Sequence, residues 1–319
     1  MSNPVASDPH HYAAEAILRD GSSIHIRAIR PDDGQRLIDH FGRLGAQSVY
    51  FRFFRVKKRL TDEEIVQFTQ LDFIHNAALV ATLGQGDDEK IIGVGRYAVV
   101  DARGPSSTPH RAEVGFAVAD DYQGRGIGTL LLEHLTPIAR ANGITEFEAD
   151  VLGENNRMLE VFAHSGFRVK RSVEEGVFHV SFPTAETEEF LEASLSRERQ
   201  AAAESVRAFL NPRSVAIVGA SHHPGTIGAA LVTNLQRSGF TGALYPVNPN
   251  PSAIAGLPTF PSLSAVKAPI DLAVVAVPAP AVEAAVAECG RVGVRGVVVI
   301  SSGFAEASES GRAAQRRLT

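Results

Sequence analysis

The six residues Gln123-Gly124-Arg125-Gly126-Ile127-Gly128, with what flanks them, constrain this chain more than any other stretch. Arg111–Val118 before them alternates with period 2, as a half-buried strand does. Thr129–Leu135 after them opens an apolar helical pattern. A strand that runs through dense glycine into a helix start makes an anion cradle. Glycine lets the backbone approach closely, and the unpaired N–H groups of the first helical turn point at negative charge. Arg125 adds a fixed cation. The bland reading of such a turn is close packing of a helix on a strand, so the turn alone decides nothing.

A second segment gives it meaning. The spacing Gln-x-x-Gly-x-Gly resembles the pyrophosphate loop of the GNAT N-acetyltransferases, and Asn155-Asn156-Arg157-Met158-Leu159-Glu160-Val161-Phe162 with Gly166-Phe167 resembles that family's later motif. The resemblance implies a GNAT domain over residues 20–183, a mixed, mostly antiparallel sheet with flanking helices, and acetyl-CoA as the acyl donor. Gln123, Gly124, Arg125, Gly126, Ile127, Gly128 and Thr129 would form the cradle. Phe116 and Val118 would offer backbone N–H groups freed by a bulge in their strand, and pantetheine could pair with that strand as an added edge. Asn155 matches the asparagine that bonds the pantetheine arm in the family. It could equally cap its own helix.

Along the first part, Ser22–Arg30 reads as a strand and Arg30-Pro31-Asp32-Asp33 as a helix start, followed by a helix through Leu37, Ile38, Phe41 and Leu44. Val49–Arg59 is aromatic and basic. It reads either as a core-facing aromatic edge or as a rim that receives acidic substrate segments or nucleotide phosphates. Thr61-Asp62-Glu63-Glu64 is a capping box. A hairpin is expected over Ala77–Leu83 and Lys90–Val100, a loop over Gly104–Pro109, a strand over Phe147–Leu152, a short helix over Asn155–His164, and a closing strand pair over Phe167–Lys170 and Val177–Phe182. Residues 1–19 read as a flexible tail.

Residues 184–210 are rich in Glu, Ala and Arg with apolar residues at helical spacing, and read as a linker helix. From 211 to 319 the pattern changes. Ser214–Val218, Ala243–Val247, Leu272–Val277 and Val297–Ile300 are short buried runs, with helical stretches between them, which argues a parallel Rossmann-like sheet. Its first turn, Gly219 to Gly228, is not G-x-G-x-x-G, and no acid follows the second strand to hold a ribose, so both facts count against NAD. Asn211-Pro212-Arg213-Ser214-Val215, the glycine turn, Tyr245-Pro246-Val247-Asn248-Pro249 and Ser302-Gly303-Phe304-Ala305-Glu306 resemble the CoA-binding domain of NDP-forming acyl-CoA synthetases. Gly219, Ser221, Gly225 and Ile227 would then contact CoA. That family continues with a further strand, a phosphohistidine domain and a nucleotide-grasp domain. The chain therefore reads as the front part of a longer protein, truncated at that end and without ligase chemistry.

Acyl transfer to an amine needs the amine neutral, and a lysine of pKa about 10.4 is neutral in only about one molecule in a few thousand at pH 7. A general base helps. Glu113 is the candidate, in an Ala-Glu-Val-x-Phe string that resembles the strand of Pat-type protein acetyltransferases. An apolar cleft around Phe116 would raise its pKa; the competing reading pairs it with Arg111 or Arg96. The family's usual tyrosine acid is Phe162 here, so the departing thiolate needs another donor, such as Tyr122 or water, or the steadying of a helix N-terminus.

The pairing of domains resembles that of Pat-type lysine acetyltransferases. It implies a protein lysine acceptor, which could be an acyl-CoA synthetase, with a regulatory acyl-CoA-binding second domain. A small-molecule amine acetyltransferase and a non-catalytic acyl-CoA sensor are the other readings. A net charge of −5 gives no field favouring nucleic acid. The lone Cys289 excludes a disulfide framework and fits a reducing compartment, hence the cytoplasm. No apolar run reaches membrane-spanning length, and no metal site is expected.

Overall fold

A computed structural model describes residues 8–100, 111–250 and 253–318. The chain divides into two compact units, Met1–Ala201 and Ala202–Thr319.

The first unit runs β1 (Ala13–Ile17), β2 (Ser23–Ala28), α1 (Gly34–Phe41), α2 (Ala46–Phe53), α3 (Asp62–Thr69), β3 (Asn76–Leu83), β4 (Lys90–Val99), β5 (Arg111–Val118), α4 (Ile127–Ala141), β6 (Glu146–Leu152), α5 (Asn156–Ala163), β7 (Lys170–Glu174), β8 (Val177–Pro183) and the start of α6 (Glu188–Leu210). Its eight strands form one sheet in the order β1-β2-β3-β4-β5-β6-β8-β7. All neighbours pair antiparallel except β5 and β6. Ala112, Val114 and Phe116 of β5 point into a core shared with Leu131, Leu132 and Leu135 of α4. The other face of β5 carries Glu113, Gly115 and Ala117.

Residues 8–19 are not a tail. Ala13–Ile17 pairs with β2 in full register, and Ala16 and Leu18 are buried. Only one of its two faces is apolar, which left too weak a pattern to read as a strand. Residues 1–7 and the expected loop 104–109 lie outside the described residues. The aromatic edge expected over 49–59 is helical in its first part: Ala46–Phe53 is a helix that buries Val49 and ends on Phe54 in the left-handed region. Arg27, 1% exposed, anchors this half by holding Asp33 at 2.6 and 2.8 Å and Glu89 at 2.8 and 2.9 Å. The closing hairpin starts later than the apolar pattern implies: β7 begins at Lys170, while Phe167 leaves the sheet to stack on Phe190 of α6 at 4.4 Å.

The second unit contains the end of α6, then β9 (Ser214–Val218), α7 (Ile227–Arg237), β10 (Ala243–Val247), β11 (Leu272–Val275), α8 (Ala279–Val292), β12 (Gly296–Val299) and α9 (Glu309–Leu318). Its four strands are all parallel, in the order β10-β9-β11-β12. Buried Ala216, Val218, Ala273 and Val275 pack towards Val282 and Ala285 of α8, while Val215, Ile217 and Val274 face Val232 of α7. Helices on both faces account for the unbroken apolar strands.

Candidate active site

The site is built where the large sheet comes apart. β5 and β6 pair only at Arg111↔Glu146, Ala112↔Phe147 and Glu113↔Glu148, although both strands continue. Beyond Glu113 they diverge. Ala119 N–H donates to Ile92 O of β4 at 2.9 Å. Because successive amides alternate in direction along a strand, those of Phe116 and Val118 point away from β4, towards the gap. The carbonyl of Val118, on the same side, accepts from Gln123 Nε2 at 2.9 Å. The β4–β5 register runs unbroken, and the nearby register shift lies between β3 and β4 at Ala81/Thr82. The amides are thus exposed by splaying of two strands and not by the expected bulge.

The gap opens into a cavity of about 680 Å³ lined by the end of β5, the glycine loop, the start of α4 and the start of α5. Gly126 is the N-cap of α4 at φ +93, with no side-chain cap, and Gly124 lies at φ +76. The first amide to bond within the helix is that of Leu130, to Gly126 O, which leaves those of Ile127, Gly128 and Thr129 available to a phosphate. The cleft thus has bare amides at the α4 start and outward amides along the β5 wall, a donor set suited to a phosphate and to an amide-bearing chain.

The individual residues divide as follows. Gly128 also serves packing, since a Cβ there would stand 3.2 Å from Val161 of α5. Thr129 lines the cleft and is 2% exposed. Arg125 does not line the cleft: it pairs with Asp20 at 3.4 Å and covers the Tyr122 ring at 5.0 Å. Arg19, which the sequence did not single out, does line it and lies 3.3 Å from the position a Gly126 Cβ would take. Gln123 is a clasp. Its Nε2 donates to Val118 O, to Ser48 Oγ at 3.1 Å and to Asp120 Oδ1 at 3.0 Å, and its Oε1 accepts from Arg157. Asp120 in turn accepts from Ser48 Oγ and from Gly45 N–H. The loop is thereby tied to the start of α2.

Asn155 does cap α5, accepting from Met158 N–H at 3.2 Å, and it also lines the cleft. Its side-chain nitrogen makes no hydrogen bond among the described residues, so one side chain has both faces of its chemistry in use or on offer. Phe162, 1% exposed, lies in the core 6.5 Å from Phe116 and offers no donor. Tyr122 lines the cleft.

Glu113 stands elsewhere. It is exposed, on the face of β5 opposite to Phe116, so that ring does not enclose it. Three residues of strand separate it from Phe116, a rise of about 10 Å. It makes no ion pair among the described residues, whereas Arg111 pairs with Glu148 at 3.1 Å. It lines an open groove of about 420 Å³ with Glu148, Asp150, Lys170, His179 and Ser181. On its other side is a hollow of about 50 Å³ under α1, α2 and α3, which shares Leu44 and Ala117 with the large cleft and holds His40, Arg52 and Arg96. Burial drives the His40 imidazole down to about 4, so it is neutral. It lies close to the carbonyls of Ile91 and Ala117 but in hydrogen-bond geometry with neither. Burial, then the neighbouring Arg52, pulls Arg96 down to about 10, and the charge of Glu113 acts against this.

In the second unit, Gly219, Ser221, Gly225 and Ile227 gather at the carboxyl end of β9, next to β11, where the strand order reverses and such sheets bind ligands. Gly219 sits at φ +89, and a Cβ on it would be 2.5 Å from Ala276 O. Gly228 brings α7 closer still: its Cβ would lie 2.0 Å from Gly219 O. Ser221 Oγ accepts from His223 N–H at 3.1 Å, shaping the turn, and Asn248 Nδ2 donates to Ala220 O at 2.6 Å. Ile227 is 54% exposed and presents an apolar face at the helix start. Among the described residues no group of acids, histidines or cysteines could hold a metal, and no helix is long and apolar enough to cross a membrane.

One family model matches in each unit. Residues 47–167 match the model of the acetyltransferase (GNAT) family, and residues 213–318 that of a CoA binding domain. The crystal structure of the GNAT domain of S. lividans PAT is similar at 38% identity, covering 56% of this chain and 99% of that one, with a TM-score of 0.50. An acetyltransferase of Pseudomonas aeruginosa is 28% identical over 158 residues, 50% of this chain and 82% of its own length. The ADP-forming acetate–CoA ligase II of Archaeoglobus fulgidus is 42% identical over 113 residues, 35% of this chain but only 17% of the ligase.

Proposed function

Because the chain belongs to the GNAT acetyltransferase family, and so is an acetyl-CoA-dependent acyltransferase with an added CoA-binding domain, we propose that it acetylates the ε-amino group of protein lysines. The observation that carries this reading is the open groove beside the point of strand divergence. Its lining residues Glu113, Asp150, Lys170 and His179 are exposed, so the amine would be presented on a surface and not enclosed. The likeness to the PAT domain supports the same acceptor class.

Acetyl-CoA supplies the activated acyl carbon. The amides of Ile127, Gly128 and Thr129 bind its phosphates, and Asn155 Nδ2 and the outward amides of β5 hold the pantetheine arm. The N–H groups of Phe116 and Val118 stabilise the carbonyl oxygen as it gains charge while nitrogen bonds to the acyl carbon and the carbon–sulfur bond breaks, an effect typically of ~3 kcal/mol. The ammonium proton passes to Glu113 through water, since about 10 Å of strand is too far for direct contact, and the second nitrogen proton, released as the amide forms, goes through water to the departing sulfur. Tyr122 or water protonates the leaving thiolate. The second unit binds CoA or its thioester and tunes the rate. Purified protein incubated with labelled acetyl-CoA and cell extract should label lysines in protein. Label confined to small amines would refute the assignment.

A further inference from the structure

Buried cations in this protein are normally given carboxylates. Arg27 has two, each bonded twice. Arg52 and Arg96 break that pattern. Both are half-buried, and among the described residues neither is within ion-pair or hydrogen-bond distance of any acid. What they touch is aromatic: Arg52 lies 5.6 Å from the Phe53 ring centre and Arg96 5.0 Å from that of Phe68. The two are brought together on one face of β5. Arg96 of β4 is directly opposite Gly115, and the Arg52 guanidinium rests on the same glycine, where a Cβ would come within 3.1–3.3 Å of three guanidinium atoms. Glycine at 115 is what makes room for the second cation. Two guanidiniums this close, half-buried and with the charge of Glu113 acting on both only from beyond ion-pair distance, are costly unless a ligand supplies a carboxylate in contact with them.

The acceptor face is consequently zoned. On the α2 side of Glu113 stand the two arginines, neither in an ion pair among the described residues; on the β6 side stand Glu148 and Asp150, with His179 and Lys170 beyond them on β8 and β7. An acceptor that is only cationic suits one half of this surface. An acceptor with an ammonium and a carboxylate suits both.

We infer that Arg52 and Arg96 form a carboxylate-binding subsite, through which the acceptor lysine is read together with an acidic side chain within two residues of it. Glu113 and Gly115 are two positions apart on the same face of β5, a rise of about 7 Å, which is also the spacing of alternate side chains in an extended peptide. A planar guanidinium pair suits a carboxylate better than any neutral side chain. This subsite rests on the protein-lysine reading above and specifies which lysines.

The test compares kcat/KM for peptides in which a lysine has Glu, Gln or Lys two residues away, and for free lysine against cadaverine, with the full chain and its R52Q, R96Q and R96K variants. The Glu peptide should exceed the Gln peptide about tenfold or more. R52Q and R96Q should bring that ratio near one while acetyl-CoA affinity is kept, R96K should restore part of it, and salt should reduce it. Equal use of Glu and Gln peptides, or a ratio that the variants leave intact, overturns the subsite but not the lysine reading. If no peptide is acetylated, the lysine reading falls. The subsite then survives as a reader of an α-carboxylate only if lysine exceeds cadaverine by the same factor and R96Q abolishes the difference; equal use of the two overturns it.

Discussion

Replacing Glu113 with Gln isolates the proton-transfer step. The side chain is exposed and makes no ion pair among the described residues, so even with the loss of its charge near Arg52 and Arg96 the substitution should change stability by about 1 kcal/mol or less. General bases typically contribute 10²–10⁴-fold. Here the strand rise places the carboxylate about 10 Å from Phe116, too far for direct hydrogen bonding, and a relay through water points to the low end. We expect kcat to fall about 10²-fold at pH 7, equivalent to about 2.7 kcal/mol in the barrier. The loss should shrink as pH rises. A lysine amine of pKa about 10.4 becomes about tenfold more neutral per pH unit below its pKa and reaches about 30% neutral at pH 10, so the variant should gain about tenfold per pH unit while the parent flattens. Steady-state rates on a lysine peptide from pH 7 to 10, with acetyl-CoA affinity by calorimetry as a control, read both effects. A kcat within threefold of the parent at pH 7, or a deficit constant across the range, would refute the role of Glu113.

Other consequences follow from the same geometry. Arg27 holds Glu89, whose side chain is 11% exposed, down to about 2 from 4.5. A carboxylate lowered on folding stabilises fully above its unfolded pKa and loses that contribution as pH falls through the folded one, so about 3 kcal/mol should disappear between about pH 4.5 and 2. Chemical denaturation of E89Q should show a flatter acid limb than the parent and lower stability at pH 7. Gly126→Val places a branched side chain at φ +93 beside Arg19 in the cradle. It should weaken acetyl-CoA binding at least tenfold by calorimetry, and an unchanged affinity would remove the loop from the site. The full chain should bind CoA at two sites, and Gly228→Val, whose Cβ meets Gly219 O, should abolish one of them; a single site in the parent would count against the second unit as a CoA binder.

Much of this was legible because the strongest local signals coincide with the functional ones. The alternation of Arg111–Val118 and the glycines after it dictate both the central strand and the anion cradle. The unbroken apolar runs after residue 211 dictate a parallel sheet, which is buried on both faces. What was not legible depends on chain separation. Arg52 and Arg96 are far apart in sequence and meet only because α2 crosses β5 while β4 lies beside it. The run around Tyr50, Phe51, Phe53 and Phe54 has aromatic residues too closely clustered to show a helical period, which is why no helix is read there from the sequence. Likewise, Phe116 and Glu113 share a motif yet face opposite ways, a consequence of the period of two that a string of letters conceals. The splay of β5 from β6 has no local code. It is a disagreement between two strands, each ordinary by itself.

That splay has a thermodynamic corollary. An eight-stranded sheet joined across its middle by three residue pairs carries an inner edge on which the N–H groups of Phe116 and Val118 have no partner strand. A chain-like ligand with its own amides can lie in that slot as a ninth strand. Occupancy then acts on the whole fold by mass action, adding about 2.7 kcal/mol at a hundredfold excess over Kd. The melting temperature of the unit becomes a gauge of how much free and acetylated CoA surrounds it.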